Sequence, residues 1–245
     1  MANSCGDSIV HHALQELIIE VKRYAAAHLN ETDETRENAV ANIRRWIEES
    51  GNLPAQIGKN DHGLTRLVLP LREPDNQGRL VIIMHCTRHD PRRHEISNIF
   101  KIAMAVFEVA MKYYSAASVY GCALFMNVAN PTIRHAGQMR PQIIKNIVHA
   151  WQSCYPIRVQ SINMINAPEY VEIVLKIFRY FMTEKMQNRL HVYTQKMMQN
   201  YFKDIPANIL PVEYGGTNGT LLELTEYWKK LVEENRDWIM ENEND

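Results

Sequence analysis

Three stretches of this chain are apolar over almost their whole length, and each is followed by a segment with helical periodicity. The stretches are "RLVIIMHC" (79–86), "SVYGCALFMNV" (118–128) and "VQSINMI" (159–165). A strand with one face in water alternates apolar and polar residues, so continuous apolar runs indicate strands buried on both faces. Alternation of such strands with helices predicts an α/β fold with a mostly parallel sheet.

The same periodicities predict the remaining elements. A short strand is expected at 189–193, and the helices are expected at 8–29, 35–49, 95–114, 141–154, 168–182, 194–203 and 221–236. A loop at 50–64 separates the first two helices from everything that follows. We therefore divide the chain into an N-terminal helical region, 1–64, and a main domain, 65–245.

The helix predicted at 168–182 carries more apolar surface than one contact with a sheet requires. Its charged residues are spaced three, four and three apart, which keeps them in one narrow stripe: Glu169, Glu172, Lys176 and Arg179. The helix at 95–114 has a similar excess. Leaving such surface in water costs about 25 cal/mol per Å². Two interpretations stay open: both helices lie inside a thick core, or one apolar side lines a cavity for a hydrophobic ligand.

Composition excludes several classes of partner and location. The formal net charge is −1, and no basic stripe is interleaved with aromatic residues, so we expect no nucleic-acid partner. The first residues lack the basic head and apolar run of a signal peptide, and no apolar run is long enough to span a membrane. The four cysteines are widely scattered. These features predict a cytoplasmic protein with free thiols.

The segment "HCTRHDPRRHE" (85–95) is the most reactive in appearance. Its histidines, with Asp90 and Glu95, are metal ligands by type: His85, His89 and His94. Their spacing matches no known metal motif, and a charged loop is the favoured interpretation. The chain has neither a phosphate-binding glycine loop nor a nucleophile turn. We expect no enzyme activity, no metal and no cofactor, and keep a metal-dependent enzyme as a minor alternative.

Three motifs resemble those of one known family. They are "YPIRVQSINMINAP" (155–168), "FMTEKMQNRLHVY" (181–193) and "IPANILPVEYGGTNG" (205–219). In this order they resemble the CRAL-TRIO, or Sec14-like, lipid-binding family, and in particular its animal tocopherol- and retinaldehyde-binding branch. The resemblance covers roughly residues 65–240. It implies an α/β fold in which a mixed, mostly parallel sheet floors a hydrophobic cavity that is closed by a lid helix.

The resemblance also implies a function and a set of ligand-binding residues. Family members carry one hydrophobic molecule between membranes and do no chemistry on it, and the helix after "INAP" is the lid. By position, the residues expected to line the cavity are Phe125, Ile147, Trp151, Tyr155, Ile162, Val171, Val174, Ile177, Phe178 and Met182. A ligand such as tocopherol, a retinoid or a related lipid is implied, in a monomer that associates transiently with membranes.

Members of this branch also bind phosphoinositide headgroups through a basic cluster near the lid. The matching positions here are Arg158, Lys185 and Arg189, and a fourth basic position is occupied by Gln160. Lys185 and Arg189 are four residues apart, so they would share one face if the helix continues. The alternative interpretation of these two residues is a solvated helix end.

The chain departs from the family pattern in three places. Relative to the family, one or two helices are absent from the N-terminal region. Tyr180 stands where the lid commonly has proline, and Asn127 replaces an acidic residue. Without proline the lid is expected to be straighter. These departures motivate a second hypothesis, an interaction or regulatory module that keeps the fold without transferring lipid.

Overall fold

The computed structural model describes residues 65–154, 157–168 and 171–241. The predicted helical region 1–64 lies outside the described residues, and so does Tyr155. The division of the chain at residue 65 therefore stays a prediction.

A five-stranded sheet forms the centre of the described region. Its strands lie in chain order: β1 (Val68–Pro70), β2 (Leu80–His85), β3 (Cys122–Asn127), β4 (Val159–Ala167) and β5 (Leu190–Thr194). β1 is antiparallel to β2, and every other neighbouring pair is parallel. β2 is buried along its whole length, as its continuous apolar run predicts. The predicted α/β fold with a mostly parallel sheet is confirmed.

Helices join the strands and cover the sheet. They are α1 (Ile96–Tyr113), α2 (Ala117–Tyr120), α3 (Ile133–Gln138), α4 (Pro141–His149), α5 (Val171–Phe181), α6 (Glu184–Gln187), α7 (Leu221–Glu234) and α8 (Arg236–Glu241). The end of α4 widens into a π-helical turn at Ala150–Cys154. Trp228 anchors α7 to the edge strand, since its buried indole N–H donates to the carbonyl oxygen of Pro70 at 2.6 Å.

Two predicted elements differ from the structure. The strand expected at 118–128 begins only at Cys122, because Gly121 ends the helix α2 with φ 83°. A β-carbon at Gly121 would lie 2.3 Å from the carbonyl oxygen of Arg158, so only glycine fits where the chain enters the sheet. The helix expected at 194–203 is instead a kinked 3-10 segment, Gln195–Asn200.

The two faces of the sheet are covered by different parts of the chain. Met84, Met126 and Met164 are aligned across β2, β3 and β4, and they share one face with Leu175 of α5. We call this side the cavity face. Side chains alternate along a strand, so Phe125 points to the opposite face, where its ring stacks on that of Phe202 at 4.5 Å.

Candidate functional site

An apolar cavity lies between the cavity face of the sheet and the helices α1, α4 and α5. Its volume is about 40 Å³. The lining residues come from β1, β2, β3 and the residues next to them, from α1, from the residue after α3, from α4 and its π-helical turn, and from α5. They are Leu67, Val68, Met84, His85, Cys86, Ile96, Ile99, Phe100, Ala103, Met126, Met139, Ile147, Trp151 and Phe178. Because α5 follows "INAP" and covers this cavity, we call α5 the lid helix.

The chemistry of the cavity wall favours hydrocarbon. Nearly all of its side chains are aliphatic, aromatic or sulfur-containing, and burial raises the pKa of the Cys86 thiol to about 12, which keeps it uncharged. Pockets for drug-sized ligands usually measure about 300–1,000 Å³, so this cavity must widen to hold one. The flexible side chains of Met84, Met126 and Met139 are suited to that change of shape.

Three of the residues expected from the sequence line this cavity. Ile147 and Trp151 come from α4 and its π-helical turn, and Phe178 comes from the lid helix. The rings of Trp151 and Phe178 stack with centroids 6.1 Å apart and planes 21° apart. This pair closes the cavity at the junction of the wall helix with the lid.

The other expected residues lie elsewhere in this structure. Phe125 is on the opposite face of the sheet. Ile162 and Met182 are buried in the hydrophobic core, and Val174 and Ile177 pack half-buried against it. Val171 packs half-buried on the smaller cluster around Met164. Tyr155 lies outside the described residues.

Helix α1 contributes a wall that the expected residue set did not contain. Ile96, Ile99, Phe100 and Ala103 line the cavity from this helix, and Met84 lines it from β2. The excess apolar surface of the helix predicted at 95–114 was the sequence signal for this wall. A sheet contact would use one side of α1, and the cavity occupies part of the remainder.

The outer face of the lid helix carries two large exposed apolar side chains. Ile173 is 69% exposed and Tyr180 is 82% exposed. They are seven residues apart, so they lie on the same side of the helix. An ion pair runs beside them, formed by the residues that immediately precede each: Arg179 Nη1 lies 2.7 Å from Glu172 Oε2, and this bond holds the pKa of Glu172 below its usual value.

The three expected basic residues lie around the starts of β4 and β5. Arg158 precedes β4, and Arg189 precedes β5 and donates to the carbonyl oxygen of Val159 at 2.6 Å. Burial, followed by the charge of Arg158, lowers the pKa of Arg189. Lys185 is exposed on α6. α6 ends at Gln187, so Lys185 and Arg189 do not share a helix.

The histidines of the loop after β2 have separate surroundings. The ring of His85 lies 6.4 Å from that of Tyr214, and its buried Nε2 atom has no hydrogen-bond partner. Burial lowers the pKa of His85 to about 4, helped by the charges of Arg88 and Arg66. Within 65–154, 157–168 and 171–241, no three His, Cys, Asp or Glu side chains are grouped closely enough to hold a metal ion.

His89 joins this loop to α3. Its ring meets that of His135 edge-on at 4.7 Å, and its Nε2 lies 3.3 Å from Gln138 Oε1. The Gln138 amide nitrogen donates to the carbonyls of Pro91 and His94, so its oxygen must accept from His89. His89 and His135 therefore fasten the loop after β2 to α3.

Comparison with known proteins agrees with this architecture. The family described as "CRAL/TRIO domain" matches residues 64–216, which is more than half of the chain. The chain belongs to the CRAL/TRIO domain family. Its CRAL/TRIO domain thus has the fold that the three motifs predict, with a mostly parallel sheet below a cavity and a lid helix above it.

Several named proteins are similar in sequence to this CRAL/TRIO domain. A Mus musculus protein named "Alpha-tocopherol transfer protein-like" is 27% identical over 181 residues, which cover 73% of this chain and 51% of that protein. The Homo sapiens protein of the same name is 25% identical over 178 residues, again 73% of this chain and 51% of that protein. Rattus norvegicus "Clavesin-2" is 25% identical over 142 residues, covering 58% of this chain and 43% of that protein. The chain therefore spans about half the length of these relatives.

One solved structure, titled "Crystal structure of Sfh5", superposes with a TM-score of 0.49 at 14% identity and covers 66% of this chain and 60% of that one. In the part of the CRAL/TRIO chain that the structure describes, no helix combines the length and the apolarity needed to cross a membrane.

Proposed function

We propose that this CRAL/TRIO domain binds one small hydrophobic molecule, such as tocopherol, a retinoid or a related lipid, and transfers it between membranes. The observation that carries the proposal is the apolar cavity between the sheet and the lid helix. A family whose named relatives include transfer proteins supports it. The domain supplies no chemistry in this proposal, since binding and release alone move the ligand.

Widening of the cavity would bring other residues of the lid segment into contact with the ligand. Val174 lies one turn before Phe178 and Ile177 immediately precedes it; both are half-buried, and Met182 directly follows the lid helix. When the lid helix moves outward, these side chains become the ligand's cover. They therefore stay in the proposed binding set together with Ile147, Trp151 and Phe178.

Membrane contact in this proposal has an apolar part and a charged part. Ile173 and Tyr180 would enter the lipid surface, where burial of their side chains is favourable. Arg158, Lys185 and Arg189 would receive the phosphates of a phosphoinositide headgroup. The charge of Arg158 contributes to the lowered pKa of Arg189, and this repulsion supports the assignment, because a bound anion would relieve it.

Native mass spectrometry of the purified protein, followed by solvent extraction, tests the proposal directly. We expect one bound lipid per chain, whose identification gives the ligand class. Ala103→Leu should then reduce uptake of the identified lipid by about tenfold or more, because the larger side chain fills the cavity from α1. The matched control is Ala136→Leu on the exposed side of α3, which should bind like the wild type.

The small volume of the cavity favours a second candidate function. At about 40 Å³ it also fits a module that keeps the fold for protein interaction and holds no lipid. Ligand binding to the folded state alone stabilises a protein by about 2.7 kcal/mol at a hundredfold excess over Kd. A protein that is isolated bare and gains no thermal stability from tocopherol, retinol or phospholipid would support the interaction module and contradict transfer.

A further inference from the structure

One glutamine side chain bridges the wall of the cavity and the end of the lid helix. Gln152 lies in the π-helical turn that follows α4. Its Oε1 accepts from the backbone N–H of Thr183 at 2.7 Å, and its Nε2 donates to the carbonyl oxygen of Phe181 at 3.4 Å. The two backbone groups flank Met182 at the junction of α5 and α6, which consists of Met182 and Thr183, so a single side chain holds both sides of this junction.

The direction of the amide is fixed by its partners. A backbone N–H can only donate and a carbonyl can only accept, so the oxygen of Gln152 must face Thr183 and its nitrogen must face Phe181. Both backbone groups lack a partner within their own helix, because one belongs to the end of α5 and the other to the start of α6. Gln152 therefore satisfies groups that only a side chain or water could satisfy.

A second contact lies beside the first on the inner side. Trp151, the neighbour of Gln152, lines the cavity and stacks on Phe178 of the lid helix. The widened turn thus presents an apolar contact to the ligand side and a polar contact to the outer side. A turn of this kind is common at functional positions within helices. The lid helix is attached to the wall at two adjacent points near its C-terminal end.

We propose that Gln152 is a latch that sets how often the lid helix opens for ligand exchange. This inference rests on the proposed transfer function, and it makes Gln152 a positioning residue that acts through the lid. The latch groups are close to solvent, so water can replace both hydrogen bonds when the lid leaves. Such bonds contribute modestly, which suits a closure that must be reversible.

Gln187 offers a matched control on the same junction. Its Nε2 donates to the carbonyl oxygens of Arg179 at 2.9 Å and Met182 at 3.1 Å, so it caps the lid helix from within the lid segment. Gln187→Ala removes two hydrogen bonds from the same helix end without releasing the lid from the wall. Gln152→Ala removes the bridge, and Gln152→Glu keeps only the acceptor for Thr183.

Hydrogen exchange of the whole protein tests the latch without any ligand. We expect Gln152→Ala to speed exchange of amides in 171–183 by about threefold to tenfold, with Gln152→Glu less affected and β3 unchanged. Gln187→Ala should affect only the last turn of the lid helix. Lid amides that exchange at the wild-type rate in Gln152→Ala would overturn the latch.

Release of phenylnaphthylamine, an uncharged fluorescent probe, into excess phosphatidylcholine vesicles tests the consequence for exchange. Gln152→Ala should release the probe faster by the same factor, whereas Gln187→Ala should release it like the wild type. Faster lid exchange with an unchanged release rate would overturn the gating role alone. Failure of the wild type to bind the probe would contradict the transfer function, and hydrogen exchange would still decide whether Gln152 holds the lid.

Discussion

At the scale of single residues, His85 is an ionisable group in a place where charge is unfavourable. It ends β2, only 7% of its surface is exposed, and its Nε2 has no hydrogen-bond partner. Burial and the nearby charges of Arg88 and Arg66 lower its pKa to about 4. The folded protein therefore keeps His85 neutral at a pH where an unfolded chain would already protonate it.

This lowered pKa predicts a loss of stability in acid. The unfolded state binds the proton first as pH falls below about 6.5, so the contribution of His85 is full above that pH and is lost down to about pH 4. The loss amounts to about 3 kcal/mol in the free energy of unfolding, by order of magnitude. Urea unfolding measured across this range should show a steeper decline in the wild type than in His85→Phe.

His149 supplies the control for this measurement. It lies exposed on α4, so His149→Gln should leave the pH dependence of the wild type unchanged. Comparison of slopes removes the contribution of the carboxyl groups, which all three proteins share. A His85→Phe protein that loses stability at the wild-type slope would show that burial of His85 is not responsible.

At the scale of elements, the surroundings of the lid helix explain why its sequence is apolar on nearly every side. Phe178 faces the cavity and Leu175 packs on the sheet, while Ile173 and Tyr180 remain in water. Its charged stripe is held together by the Glu172–Arg179 ion pair. The helix runs from Val171 to Phe181 without a break, and the expectation that Tyr180, in place of proline, leaves it straighter stays a prediction.

The exposed side chains of Ile173 and Tyr180 predict that the lid helix contacts a membrane through its outer face. Ile173→Ser with Tyr180→Ser should weaken binding to phosphatidylcholine vesicles by about tenfold to a hundredfold, because two apolar side chains no longer enter the lipid. The melting temperature should change little, since both side chains are exposed in the folded protein. Vesicle flotation and thermal unfolding measure the two effects.

Leu222 is the matched control for this pair. It is as exposed as Ile173, at 69%, but it lies on α7. Leu222→Ser should therefore leave vesicle binding unchanged. Equal weakening by both proteins would mean that general surface hydrophobicity, and not the lid helix, determines membrane binding.

At the scale of the whole molecule, charge distribution matters more than charge total. The formal net charge is −1, so attraction to an anionic membrane must come from a local group of cations. Lys185 is exposed on α6, directly after the lid helix, and it is the expected basic residue that can be changed with least effect on folding. Arg189 is less suitable, because it also bonds the carbonyl of Val159.

Two charge-reversal variants distinguish the effect of a residue's position on membrane binding from the effect of net charge. Lys185→Glu should weaken binding to vesicles that contain phosphatidylinositol phosphates by about tenfold or more, while Lys230→Glu on α7 should not. Both changes alter the net charge equally. Binding by the wild type should weaken as salt is raised, because screening shortens the reach of exposed charges. Identical effects of the two reversals would contradict a headgroup site at Lys185.

The sequence by itself determined the class of fold, and its resemblance to a known family indicated which helix is the lid. Strands buried on both faces are recognised by their continuous apolar runs. The apolar excess of the helices at 95–114 and 168–182 indicated that they contact other apolar groups in addition to the sheet. These signals are local, since each depends on residues that are neighbours along the chain. The predicted strand at 118–128 was wrong at its start, because the close approach of Gly121 to Arg158 is a contact between distant segments.

Only the tertiary structure decided which apolar side chains share the cavity. Phe125 and Met126 are adjacent and both apolar, yet the register of the sheet sends one to Phe202 and the other into the cavity. The wall from α1 and the bridge from Gln152 to the lid likewise depend on packing between elements far apart in sequence. A periodic pattern specifies that a side chain is buried, and the arrangement of the elements specifies what it is buried against.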